Sequence, residues 1–206
     1  LRRDAKGDIY LRAAGGELRR LTDRMSADRQ PAWSPDGRRL AYTSAAGNAA
    51  EAIWELTLEP RSRRRLSARS GFDPAFSPDG SVLVFTSRTA GQAESKDALP
   101  CLWLHRMSDG AEAPAHKCTR PEGFATFARM DDAQWLVFSR FQDDTNGDGS
   151  WDVEDRPSLW RQRFEGFDGD LPVLGPAVPL TAGLASHITP RVHAGRVFYA
   201  SRTDED

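Results

Sequence analysis

Residues 33–44 read "WSPDGRRLAYTS" and residues 76–87 read "FSPDGSVLVFTS". The two phrases start 43 residues apart. In the first, Pro35 pre-sets φ for a tight turn, Asp36 tolerates the next position and Gly37 can take a positive φ. After the turn, Leu40, Tyr42 and Ser44 alternate with Arg39, Ala41 and Thr43, the period of a β-strand. The phrase therefore predicts a β-hairpin. Ser34 and Ser77 sit beside the turns, where a serine can resemble a nucleophile. No His/Asp pair recurs near them, and a nucleophile need not occur twice, so both serines read as structural.

Outward from the phrase, a second signature precedes each copy. "DIYLRAAGGELRRLT" starts at Asp8 and "AIWELTLEPRSRRRLS" at Ala52. Weaker versions follow as "CLWLHRMSDGAEAPAHKCT" from Cys101 and "SLWRQRFEGFDGDLPVLGPAVPLT" from Ser158. Their aromatic anchors Tyr10, Trp54, Trp103 and Trp160 lie 44, 49 and 57 residues apart, which places insertions in the later copies. The first phrase also changes. "FARMDDAQWLVFSR" from Phe127 has two extra residues in its turn, and "VHAGRVFYASR" from Val192 has two fewer. No segment sustains helical apolar spacing for three turns. Four short antiparallel strands per 43 to 57 residues is the spacing of a β-propeller blade.

The expected fold class is thus all-β, a β-propeller with four blades' worth of four-stranded antiparallel sheets. The blade units fall at about 1–22 together with 188–202, 30–67, 73–119 and 124–181. A blade buries its two faces by packing on its neighbours, and Trp33, Trp54, Trp103, Trp135 and Trp160 are expected between blades. The opening outer hairpin and closing inner hairpin either share one blade and close a four-bladed ring, or the chain is a segment of a larger propeller. The chain begins at Leu1 without an apolar leader and reads as processed or as a piece of a longer chain.

"PAWSPDGRRLAYTS" and "PAFSPDGSVLVFTS", each followed by an "IW" strand and an "RRL-S/T" strand, resemble the TolB-type β-propeller repeat. The likeness runs over nearly the whole chain. It is strong in the first two copies, whereas the Ser-Pro-Asp-Gly turn is replaced in the third and fourth. Such repeats occur in periplasmic proteins, in propellers that gate prolyl-oligopeptidase-like peptidases, and in large exported proteins. The resemblance implies a fold more firmly than a function.

One stretch departs from the repeat. "DDTNGDGSWDVED", residues 143–155, carries six carboxylates and no Lys or Arg. So much like charge is unfavourable without a cation. The spacing matches a calcium loop with Asp144 at position 1, Asn146 at 3, Asp148 at 5, Gly149 at 6, Ser150 at 7, Asp152 at 9 and Asp155 at 12. Hard oxygen ligands suit Ca²⁺ and not zinc. Asp at position 12 resembles dockerin loops. The flanks do not read as helices, so the expectation is an EF-hand-like Ca²⁺ loop over 143–156, between the second and third strands of a blade, with a structural role.

Cys101 and Cys118 fall at equivalent ends of the third outer hairpin, where a cross-strand disulfide is possible and would imply an oxidising compartment. "RSRRRLS" at 61–67 reads as an outermost strand protected by charge from edge-to-edge pairing. His105, His116, His187 and His193 form no motif.

The chain has 206 residues with 28 basic and 30 acidic side chains, so it has no overall attraction to nucleic acid or an anionic membrane. Its apolar runs are too short to insert in a bilayer as helices. No catalytic set is legible. The leading expectation is a non-catalytic protein- or peptide-binding or scaffold module of an exported, periplasmic protein, its partner held by loops at Ala45–Glu51, Arg88–Pro100 and Gln142–Pro157. The alternatives are the substrate-gating propeller of a larger prolyl-oligopeptidase-like hydrolase, or a propeller enzyme with its own metal centre.

Overall fold

The structure is a computed structural model. It describes residues 7–12, 14–23, 26–46, 49–90, 93–94, 99–142, 147, 155–182, 186–193 and 195–202. The first complete sheet runs β3 (Ser26–Trp33), β4 (Arg39–Ala46), β5 (Ala52–Thr57) and β6 (Ser62–Ser70), each antiparallel to the last. The second runs β7 (Phe72–Phe76), β8 (Val82–Ser87), β11 (Cys101–Arg106) and β12 (Glu112–Pro114). Between β8 and β11 lies a short hairpin of β9 (Thr89–Ala90) and β10 (Ala93–Glu94). The third sheet runs β13 (Glu122–Met130), β14 (Ala133–Arg140), β15 (Ser158–Asp168) and β16 (Leu171–Leu174), with β17 (Val178–Pro179) also paired to β15. Two hairpins flank these sheets: β1 (Tyr10–Arg12) with β2 (Leu18–Arg20), and β18 (Ser186–His193) with β19 (Arg196–Arg202). This is the all-β architecture of successive four-stranded blades. Among the described residues no ladder joins β1–β2 to β18–β19. The union of 1–22 with 188–202 into one blade stays a proposal. No helix among the described residues is long and apolar enough to cross a membrane.

Leu40, Ala41, Tyr42, Thr43 and Ser44 of β4 are all buried. The reason is that second strands lie between two layers. Leu40, Tyr42 and Leu56 face Ile9 and Leu21 of the β1–β2 hairpin. Ala41 and Ile53, on the other face, meet Phe76, Leu83, Phe85 and Trp103 of the second blade. The second blade repeats this: Val82, Val84, Leu102 and Leu104 meet Phe127, Leu136, Phe138 and Phe164 of the third. Apolar area leaving water on both faces is the main stabilising term, about 25 cal/mol per Å². Gly71 links the first blade to the second in a tight space. A Cβ there would stand 2.6 Å from Cδ2 of the fully buried Phe85.

Of the predicted inter-blade tryptophans, Trp54, Trp103 and Trp160 join the clusters between layers. Trp135 is half-buried under the Arg161 guanidinium, 4.7 Å from the ring centroid. Trp33 is a correction: it is 45% exposed, because it ends an inner strand beside an open cavity.

Candidate functional site

The two serines come first, since their geometry decides whether the repeat carries chemistry. Ser34 Oγ donates to Asp36 Oδ1 at 2.6 Å and accepts the Arg39 N–H at 2.9 Å. Ser77 Oγ donates to Asp79 Oδ1 at 2.6 Å and accepts the Val82 N–H at 3.0 Å. Gly37 and Gly80 close the two turns with φ of 68° and 73°. Each hydroxyl is thus spent on clamping its turn.

Burial of Asp79 works against ionisation. Donation from Ser77, from the Ser81 N–H and hydroxyl, and from Gln134 outweighs it and holds the carboxyl down to about 2. Asp36 is also held low, by Ser34 and then the Arg38 N–H. A crevice of about 400 Å³ next to Asp79 is lined by Arg106, Gln134, Phe164 and Phe167. Its charges are already paired: Arg106 bonds Asp109 at 2.9 Å and Asp170 at 3.0 Å, and lies over the Phe167 ring.

The inner strands hold a different feature. β3, β7, β13 and β18 each slip by one residue against their second strand, between Arg29 and Ala32, Phe72 and Ala75, Gly123 and Thr126, and Ile188 and Arg191. These are β-bulges at one equivalent place in each unit, and bulges re-aim side chains. Their first residues Gln30, Asp73, Phe124 and Thr189 all have positive φ, from 50° to 56°. Proline, which has no N–H to give a ladder, follows in three of the four, at Pro31, Pro74 and Pro190. The Asp73 N–H reaches back to the preceding unit, to Gln30 Oε1 and Thr43 Oγ1, both at 3.1 Å.

A solvent-open cavity of about 270 Å³ lies on these bulges and is lined from all four inner strands. Pro31, Ala32, Pro74, Ala75, Phe76 and Ala125 supply its apolar wall. Gln30, Trp33, Thr126, Asp73 and Arg191 supply its polar and aromatic groups. Asp73 is only 8% exposed and its Oδ2 has no hydrogen-bond partner. Burial pushes its pKa up, against a weaker pull from the Arg191 charge. No ion pair joins the two among the described residues.

Sequence reasoning missed this cavity. The signal present was the dipeptide of a variable residue plus proline, recurring at 30–31, 73–74 and 189–190.

Of the expected calcium ligands, Asp144, Asn146, Asp148, Ser150 and Asp152 lie outside the described residues. Asp155 is described and is 1% exposed, and Gly147 has a φ of 73°. The segment does join β14 to β15, the second and third strands of its blade. Cys101 opens β11, whereas Cys118 lies beyond the end of β12 and not on a neighbouring strand as expected. The sulphurs are nonetheless in bonding contact, with Cα atoms 5.8 Å apart.

Next to them is a buried polar cluster. His116 bonds Glu122 at 2.6 Å and also Gln162, and Glu122 accepts from Arg140 at 2.8 Å. His105 bonds Glu112 at 3.1 Å. The basic run lies on β6, the outer edge strand. Arg64 is bonded to the buried Glu55 at 2.8 Å, and Arg63 lies 4.1 Å from the Trp54 ring centroid.

Blades packed face to face around inner strands define a β-propeller, a fold that solved TolB structures share. TolB from Acinetobacter baumannii is similar in structure with a TM-score of 0.67 at 20% identity, over 92% of this chain and 41% of that one. A TolB of Agrobacterium tumefaciens gives 0.64 at 19%, over 85% and 57%. A prolyl endopeptidase gives 0.53 at 12%, over 96% and 36%. The chain thus spans 41% and 57% of the lengths of the two TolB structures. No family model and no curated protein matches the chain.

Proposed function

We propose that this chain is a non-catalytic, protein- or peptide-binding scaffold module of an exported, periplasmic protein, stabilised by Ca²⁺. The observation that carries the reading is that the repeated serines are consumed in turn clamps, in a layered fold that solved TolB propellers share. The partner surface is formed by the loops between second and third strands, Ala45–Glu51, Arg88–Pro100 and Gln142–Pro157. The likeness to TolB propellers supports a protein partner and an exported setting, and a Cys101–Cys118 disulfide fits an oxidising compartment.

Asp144, Asn146, Asp148, Ser150, Asp152 and Asp155 would hold the Ca²⁺. Carboxylate and carbonyl oxygens at these positions support the fit, since hard oxygen donors suit Ca²⁺. When bound, the ion supplies charge neutralisation and a fixed loop shape.

Affinity capture from a bacterial envelope extract tests the reading. One protein retained in equal proportion to the chain, and released by chelator, is the expected result. Recovery of nothing in the presence of calcium contradicts it. The likeness to a prolyl endopeptidase supports a second reading, a substrate-gating propeller of a larger hydrolase. A covalently joined α/β-hydrolase segment with a G-x-S-x-G elbow would favour that one.

A further inference from the structure

The bulges repeat in their backbone but not in their side chains. At the first bulge position the four units carry Gln30, Asp73, Phe124 and Thr189, so a carboxylate is not what the turn of the chain requires. Two residues further on they carry Ala32, Ala75, Thr126 and Arg191, which pair with Ala41, Val84, Val137 and Phe198. Three small residues there meet one arginine. The two charged departures from the repeat therefore fall in different units, 118 positions apart in the chain, and line one cavity. A group as buried as Asp73 with an unpartnered oxygen asks for an explanation beyond packing.

The charges of the cavity are opposite and equal, and they do not neutralise each other by contact. A simple cation would be repelled by Arg191, and a simple anion by Asp73. A chain interior carries neither charge. The ligand that satisfies both has an ammonium and a carboxylate a few bonds apart. The remaining lining of Pro74, Phe76, Ala75 and Trp33 suits an apolar group. About 270 Å³ accommodates one such molecule and little more.

We propose that this cavity binds a free apolar L-α-amino acid, with its ammonium on Asp73, its carboxylate on Arg191 and its side chain against Pro74, Phe76 and Trp33. The ligand is held and released without a covalent step. The site is separate from the loop surface assigned to the partner, so either assignment can fail while the other stands.

Isothermal titration of the chain with L-alanine, L-leucine and L-phenylalanine tests it. The expected result is saturable one-to-one binding of at least one of them. For L-leucine, two analogues each remove one charge: leucinamide lacks the carboxylate and 4-methylpentanoate lacks the ammonium. Each analogue of the amino acid that binds is expected to bind about ten- to a hundredfold more weakly, the usual worth of a hydrogen bond to a charged group. Asp73→Asn and Arg191→Ala should each weaken binding about tenfold or more. Alanine already occupies the position equivalent to Arg191 at Ala32 and Ala75, so that variant keeps its fold. No saturable binding of any of the three amino acids overturns the proposal. So does an amide or deaminated analogue that binds as tightly as its parent, or wild-type affinity in either folded variant. Should a variant fail to fold, the analogues decide on the unmodified chain alone.

Discussion

Asp79 shows how one side chain ties the repeat to pH. Its carboxylate collects donors from Ser77, Ser81 and Gln134, the last from the third blade. Its folded pKa lies below the ordinary 3.8, so its contribution to stability is complete above that pH and is lost as pH falls towards about 2. Acid titration of the fold should show this loss, and Asp79→Asn should flatten it. Ser77→Ala should lower stability by about 1–3 kcal/mol in denaturant melts, because it strands the buried Val82 N–H.

Asp73 has the opposite sign. Burial raises its folded pKa, so the folded state binds the proton more tightly than the unfolded one. Stability therefore falls as pH rises from 3.8 through the raised folded value. Asp73→Asn should raise the melting temperature at pH 7 and change it little near pH 3. A fall at pH 7 would contradict the assignment of burial as the dominant influence. The turn serines and the positive φ of Gly37 were legible from the words "SPDG" alone, because that chemistry is local. Asp73 was not, because its environment comes from four strands that sequence separates widely.

At the scale of the element, length changes in the repeat come in twos for a physical reason. The ladder Trp33↔Leu40 encloses the Ser-Pro-Asp-Gly turn, whereas its equivalents Phe127↔Leu136 and Val192↔Val197 enclose two residues more and two fewer. The longer hairpin zips on to Met130↔Ala133 and turns through Asp131 and Asp132, both with positive φ. A change of two keeps every side chain on its own face, and a change of one would invert the strand. This is why the degraded copies remained readable.

Both faces of β4 are buried because a blade has two neighbours, which a single strand's pattern does not display. The place of the two cysteines in the repeat motivates the proposed bond, although β12 ends before Cys118 and sooner than its counterpart β6 in the first blade. Titration of the denatured, unreduced chain should detect no free thiol, and two reactive thiols would exclude the bond. Chelation should lower the melting temperature, since an ion at a hundred times its dissociation constant adds about 2.7 kcal/mol. An unchanged melt would remove calcium from the account.

At the scale of the molecule, the same repeat position has different worth in different units. Tyr42, Phe85 and Phe138 are each 0% exposed between two layers, whereas Tyr199, their equivalent on β19, is 43% exposed. Phe85→Ala should therefore cost about 3–5 kcal/mol. Tyr199→Ala should cost about 1 kcal/mol or less, with the loss of its edge contact to His187. Equal losses would mean that burial is not layered as described.

Architecture was legible because periodic blades write their packing into the chain many times over. The charges of the cavity were not, since they stand at the two places where the repeat is broken. Amide hydrogen exchange under native conditions tests the layered, repeated architecture most directly. Protection should rise to three separate maxima at β4, β8 and β14 and fall at the outer strands β6, β12 and β16. A single protected block, or uniform protection along the chain, would contradict it.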